Sequence, residues 1–235
     1  MHNTGEALKK GLVINSIICV LVFLLPILGS ESMRGESPEV IKLPRPAYTG
    51  EVSIEKALLN RRSVRDYKDE PLSLEEVSQL LWAAQGITDP RGLRTAPSAG
   101  ALYPLEVYLA AGNVTGLPAG IYKYQPQGHA VVKIADGDRR AEISEAALGQ
   151  GSIKKGAAVM VLCAVYERIA KKYGERAERY SHIEIGCASQ NIYLQSVSLN
   201  LGTVFIGAFH DDKLKEVVNM ADDERPLCLM PVGRK

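Results

Sequence analysis

Residues 157–165 read Ala-Ala-Val-Met-Val-Leu-Cys-Ala-Val, a stretch without a single charge. A strand with one wet face alternates apolar and polar residues, whereas a strand covered on both faces is apolar throughout. The run therefore asks for a sheet flanked by other layers, and the rest of the chain offers them. Ser53 can cap a helix whose apolar face is Ile54, Ala57 and Leu58. Ser73-Leu74-Glu75-Glu76 is a capping box, stapled by Leu72 and Val77, for a helix through Leu80, Leu81 and Ala84 that Gly86 ends as a left-handed cap. Residues 105–109 alternate as a strand, and 120–124 with 130–134 read as a hairpin turning at 125–128. Asp138 can cap a helix running to Leu148, with Gly149 beyond it.

The second half continues the mixture. Residues 167–180 are highly charged with a helical period, the usual sign of a solvated face. Residues 183–201 then form a long helix carrying Gly186-Cys187-Ala188-Ser189, small residues that let another helix approach, either within the chain or across a dimer axis. Strands are expected at 203–206 and 227–232, with a helix between them capped by Asp211. Helices and strands mix without strict alternation. The expected class is α+β, with a mixed or antiparallel central sheet flanked by helices and a long central helix.

The N-terminus differs in kind. Lys9 and Lys10 precede a run from Leu12 to Leu28 that is uncharged and interrupted only by Asn15, Ser16 and Pro26. It reads as a secretory signal or a membrane anchor through residues 11–28, so the expected placement is membrane-anchored or exported, and otherwise cytoplasmic. Residues 1–30 are set apart from the fold, 31–50 (rich in Pro, Ser and charge) read as a linker, and 51–235 as the folded domain. Lys9, Lys10 and Glu6 fall within that leader, which leaves 26 basic against 26 acidic residues. A balanced chain has no general pull on nucleic acid. Cys19, Cys163, Cys187 and Cys228 lie among apolar residues and form no C-x-x-C, and His2, His129, His182 and His210 are scattered, so neither a disulfide framework nor a metal centre is expected.

Against that balance, Arg61-Arg62-Ser63-Val64-Arg65 stands out. Three guanidiniums and a hydroxyl within five residues match the oxygens of a phosphate; the alternative is a solvated basic corner at a helix end. Pro97-Ser98-Ala99-Gly100-Ala101-Leu102-Tyr103-Pro104 sets small residues between two prolines, so the backbone can approach a ligand, or the segment is a plain connection.

These segments, with Leu80-Leu81-Trp82-Ala83-Ala84-Gln85-Gly86, Ala147-Leu148-Gly149-Gln150, Lys172-Tyr173-Gly174, Gly207-Ala208-Phe209 and Pro231-Val232-Gly233, occur in an order and spacing that resemble nitroreductase-fold flavoenzymes, specifically the SagB/ThcOx-type dehydrogenase branch. The resemblance runs from about residue 52 to the C-terminus. It implies FMN bound between two subunits of a homodimer. Arg61, Arg62 and Ser63 would then hold the phosphate and ribityl chain, and Arg65 would sit near the pyrimidine end of the ring, where a cation favours the charge built up on reduction. Pro97, Ser98 and Ala99 would reach the flavin from the second subunit. The backbone at Gly207 and Ala208 would face N5, with no acidic side chain at Gly207, and Gln150 would reach the ring. Arg234 is the residue available for a C-terminal phosphate contact.

The implied chemistry is ping-pong hydride transfer to a small molecule or peptide. NAD(P)H is the candidate donor, for which this fold needs no Rossmann fingerprint. Lys172 and Tyr173 match a catalytic pair of peptide-azoline oxidases in this branch, or else belong to a charged helix face. The alternatives are therefore azoline-to-azole dehydrogenation of a peptide through Lys172 and Tyr173, and a non-catalytic flavin-binding surface protein.

Overall fold

The computed structural model describes residues 39–235. In chain order its strands are β1 (Val40–Lys42), β2 (Leu72–Ser73), β3 (Leu105–Ala111), β4 (Val114–Thr115), β5 (Gly120–Gln125), β6 (Ala130–Asp136), β7 (Ala158–Ala164), β8 (Leu201–Thr203) and β9 (Arg225–Arg234). The helices are α1 (Ile54–Asn60), α2 (Leu74–Gln85), α3 (Arg140–Ala146), α4 (Gly151–Lys155), α5 (Tyr166–Tyr173), α6 (Ala177–Ser198) and α7 (Asp211–Val218). Seven strands form one sheet in the order β1-β6-β5-β3-β7-β9-β8, and every neighbouring pair in it is antiparallel. β2 and β4 make a separate parallel pair.

β7 explains its own sequence. It lies between β3 and β9, and all seven of its side chains are buried. Ala158, Met160, Leu162 and Ala164 pack with Val77, Leu80 and Leu81 of α2 and Ile185, Ala188 and Ile192 of α6. Val159, Val161 and Cys163 point the other way, to Ile143 of α3, Ile153 of α4, and Leu214 and Val218 of α7. The sheet is thus the middle of three layers, as the uninterrupted apolar run demands. The α+β class and the long helix agree with expectation.

Local signals are realised unevenly. The capping box forms: Ser73 Oγ accepts from Glu76 N at 3.2 Å and Glu76 Oε2 accepts from Ser73 N at 2.8 Å. Ser53 caps α1 through Lys56 N; of its apolar face only Ala57 is buried, while Ile54 and Leu58 are 55% and 54% exposed. Gly86 is not left-handed; its φ is −64° and ψ 147°. It is required for space, because a Cβ there would lie 2.1 Å from Trp82 Cδ1. The charged helix expected over 167–180 breaks at Gly174, whose φ of +55° lies where glycine is at ease. Asp138 lies two residues before α3, accepting from Arg140 N at 3.1 Å, and Asp211 is the first residue of α7 instead of its cap. The strand expected at 203–206 is shifted to β8, with Ile206 making a lone bridge to Leu229.

Two expectations concern the N-terminal region. Part of the stretch read as linker, Val40–Lys42, is an edge strand that pairs with Ala130, Val131 and Val132. The membrane-anchored or exported placement is corrected: no helix among the described residues is long and apolar enough to cross a membrane. The segment that carried that expectation, residues 11–28, lies outside the described residues.

Candidate functional site

α1 ends at Arg61, whose N–H closes on Ala57 O at 2.9 Å. The chain then runs beside β8: Ser63 bridges Thr203 in parallel, and Val64 N donates to Thr203 O at 2.9 Å. This pairing needs Gly202, since a Cβ there would sit 2.7 Å from Val64 Cγ1. The backbone that carries the polar residues of 61–65 is thereby fixed beside β8. The Arg61 guanidinium lies over the Tyr193 ring, 5.1 Å from its centroid. Ser63 Oγ is 3.1 Å from Tyr193 Oη. Arg62 Nη1 donates to Leu59 O at 3.0 Å and Arg61 O at 2.7 Å, the helix-end role that the sequence left open. Arg65 makes no side-chain hydrogen bond or ion pair among the described residues.

None of these three guanidiniums has a carboxylate partner among the described residues. The adjacent acid, Asp66, is engaged 2.6 Å from Lys155, which holds its carboxyl below the usual range. Thr203, which pairs with Ser63, has a buried hydroxyl without a partner among the described residues. The cluster is therefore an edge of uncompensated positive charge with hydroxyls beside it, a donor set suited to a phosphate monoester.

The segment after β8 leads from this cluster to a second group. Phe205 N donates to Tyr193 Oη at 2.7 Å, and the exposed Gly207 and Ala208 follow. Gln150 Nε2 donates to Ala208 O at 3.0 Å and to Ala147 O at 3.1 Å. Arg234 is placed differently. Its guanidinium forms a two-pronged pair with Glu76, the capping-box acid of α2, with Nη2 to Oε2 at 2.9 Å. Its charge is already neutralised, which argues against the expected phosphate contact.

The proline-bracketed segment forms a tight single turn at Ala99–Ala101. Gly100, Ala101 and Tyr103 have φ of 65°, 55° and 47°. For the two residues with a Cβ this costs on the order of 1–3 kcal/mol each, so the surroundings must hold them. They do: Tyr103 N donates to Ser98 Oγ at 2.9 Å, Arg168 Nη1 donates to Tyr103 O at 3.1 Å, and the Arg94 guanidinium lies 4.4 Å from the Tyr103 ring centroid. Arg168 is itself paired with Glu106. Gly100 lies under the end of α5, where a Cβ would be 2.8 Å from Tyr173 Oη and 3.0 Å from Lys172 Nζ. Gly100, which follows Pro97 to Ala99, and Lys172-Tyr173, distant in sequence, are thus neighbours.

One residue of this group escapes sequence reasoning. Glu184 on α6 is 2% exposed, and neither carboxylate oxygen is in good hydrogen-bond geometry with a partner among the described residues. Burial pushes its carboxyl up to about 7, with Ser98 and Arg94 drawing it partly back. The available signal is that Glu184 is the one charged residue in 183–201. Along α6, Glu184 and Tyr193 are separated by roughly 13 Å, so the loop group and the arginine cluster occupy different levels of the same helix.

A candidate nitroreductase of Methanocaldococcus jannaschii is 48% identical over 185 residues, covering 79% of this chain and 92% of that protein. An NADPH-dependent FMN reductase of Bacillus subtilis is 24% identical over 75% of this chain and 63% of its own length. The microcin B17-processing protein McbC of Escherichia coli is 28% identical over 67% of this chain and 59% of its own length. The chain thus spans about three fifths of these last two relatives. The crystal structure of a candidate nitroreductase from Ralstonia eutropha superposes with a TM-score of 0.73 at 31% identity, covering 83% of this chain and 89% of that one. The Nitroreductase family model matches residues 58–234. With three quarters of its length matched and a fold that superposes, the chain belongs to the nitroreductase family.

Proposed function

We propose that the protein is an FMN-dependent oxidoreductase of the SagB/ThcOx-type branch, working as a homodimer with its cofactor between the subunits. The observation that carries this is the set of three guanidiniums at Arg61, Arg62 and Arg65 without carboxylate partners among the described residues, beside Ser63. FMN held there supplies hydride transfer between a donor and an acceptor that bind in turn. In this reading Arg61, Arg62 and Ser63 hold the phosphate end. Arg65 sits toward the ring, where its charge stabilises the reduced form. The backbone of Gly207 and Ala208, tied back by Gln150, lines the reacting edge. Pro97, Ser98 and Ala99 of the second copy close the site. NADPH as donor is supported by the B. subtilis relative, and the branch by McbC.

A dimer is supported by what the protomer leaves uncovered. Ile54, Leu58 and Leu59 of α1 and Ile183 of α6 are more than half exposed, and Gly186 has open space beside it. A cleft of about 380 Å³ lies between α1, α2 and α6, lined by Ile54, Ala57, Trp82 and Leu194 among others. Purified protein should elute as a dimer, show flavin absorbance and release FMN on denaturation. Protein that carries no flavin and takes up none on addition would exclude the proposal. Rapid bleaching by NADPH in stopped flow would distinguish an enzyme from an inert flavin binder.

A second reading, azoline-to-azole dehydrogenation of a peptide, is favoured by one contact. Lys172 Nζ and Tyr173 Oη converge on the loop that carries Ser98. Both can move a proton next to a hydride acceptor. If Tyr173→Phe oxidised a thiazoline peptide at the parent rate, that role for the pair would be ruled out.

A further inference from the structure

We infer that the Tyr193 hydroxyl fixes the direction of the Ser63 hydrogen bond and so makes Ser63 a donor that selects a phosphorylated flavin over its unphosphorylated form. This rests on the proposal that residues 61–65 hold the FMN phosphate.

The argument is one of hydrogen counting. Phe205 N lies 2.7 Å from Tyr193 Oη, and a backbone N–H can only donate, so the phenolic oxygen accepts there. The phenol has a single hydrogen, and its other hydrogen-bond partner among the described residues is Ser63 Oγ at 3.1 Å. Ser63 therefore accepts from Tyr193, which frees its own hydrogen for an acceptor on the open side of the cluster. The reverse direction would make the phenol accept twice and leave its hydrogen without a partner, a costly state for a side chain that is 9% exposed. The same ring carries the Arg61 guanidinium on its face at 5.1 Å. Tyr193 thus positions two donors of the cluster, while the Thr203 bridge fixes the backbone beneath them. With its hydrogen turned inward, Ser63 would present lone pairs to a phosphate oxygen; turned outward, it donates to it.

The test is titration of apoprotein with FMN and with riboflavin, followed by flavin fluorescence. Tyr193→Phe should weaken FMN binding by about tenfold and leave riboflavin binding nearly unchanged. Loosening of the loop alone would weaken both equally, and that result overturns the inference while leaving the FMN site standing. Ser63→Ala should lower the FMN preference to a similar extent, and adding it to Tyr193→Phe should cost little more, because the two act through one hydrogen bond. Additive losses would overturn the inference. Should Tyr193→Phe fail to fold, Ser63→Ala still decides: an undiminished preference for FMN would show that Ser63 is not the selecting donor. Parent apoprotein that binds neither flavin would overturn the FMN proposal and this inference with it.

Discussion

Glu184→Gln should stabilise the protein at alkaline pH and leave it unchanged at acid pH. In the folded chain the Glu184 carboxyl is raised from 4.5 to about 7, because burial outweighs the opposing pull of Ser98 and Arg94. A raised carboxyl binds its proton more tightly folded than unfolded. Its contribution to stability is therefore whole below pH 4.5 and is lost as pH rises through about 7. The full shift corresponds to about 3 kcal/mol, which relaxation and solvent screening reduce to about 2 kcal/mol. Glutamine mimics the neutral acid and does not titrate. Urea unfolding at fixed protein concentration should give equal stabilities for the two proteins at about pH 4, and a variant more stable by about 2 kcal/mol at about pH 8.5. In thermal melts the alkaline difference should be about 4–8 °C. Comparing parent and variant cancels the opposing slope from carboxylates held low, such as Asp66, Asp89 and Asp138. The competing outcome is that Arg94 turns onto the ionised carboxylate and rescues it. Arg94 is already committed to Gln85 Oε1 at 2.8 Å and to the Tyr103 ring. A Gln variant less stable than the parent at alkaline pH, or shifted equally at both pH values, would refute the reasoning.

Three further outcomes follow from the same geometry. Gly100→Ala should destabilise by about 1–2 kcal/mol, since its φ of +65° is strained for alanine and the new methyl meets Tyr173 Oη; an unchanged melting temperature would mean that the loop does not rest on α5. Glu76→Ala removes both the capping-box acid and the partner of Arg234, so its urea midpoint should fall by the equivalent of about 1–2 kcal/mol, while Glu75→Ala, one residue away, should stay within about 0.5 kcal/mol of the parent. Arg65→Ala should slow flavin reduction more than it loosens flavin, and Ser63→Ala should do the reverse; stopped-flow reduction and retained flavin content read the two effects, and equal changes in both would contradict the division of roles.

What is legible in the sequence is what local pattern encodes. The apolar run of β7 announces burial on both faces, and the capping box announces where α2 begins. The β5–β6 hairpin is written in its turn. The order of the sheet is not, because each pairing depends on register between segments far apart in the chain. Val40–Lys42 is hidden for a related reason: three residues flanked by charge and proline look like linker until β6 offers its edge. Gly86 shows how a residue can be noticed for the wrong cause. Glycine near a helix end suggests a left-handed turn, whereas here the Trp82 ring takes the space of a Cβ. In the candidate site, the arginine cluster is legible as charge. Its lack of carboxylate partners is not, because that depends on Asp66 turning to Lys155. Gly100 and Lys172-Tyr173 meet through folding alone, and no spacing rule links them.

α6 makes the same point at the scale of the whole site. Its 22 residues have no single polar face because their polar groups serve different segments. Tyr193 meets Ser63 and Phe205, Asn191 donates to Thr95 O at 3.3 Å, Gln195 accepts from Gln79 at 3.1 Å, and Glu184 lies near Ser98. A helix surrounded on several sides reads from sequence as weakly patterned, although each residue is specified by its own neighbour. One continuous helix also fixes the distance between the arginine cluster and the loop of Ser98. Within a protomer they lie about 13 Å apart along the axis, and in the proposed dimer the loop of a second copy would be the one to complete the cluster. The exposed Ile183 and open Gly186 lie at the Glu184 end of α6, and the exposed Ile54, Leu58 and Leu59 lie on the helix that leads into Arg61. Both halves of the proposed site thus adjoin apolar surface that a second copy would cover.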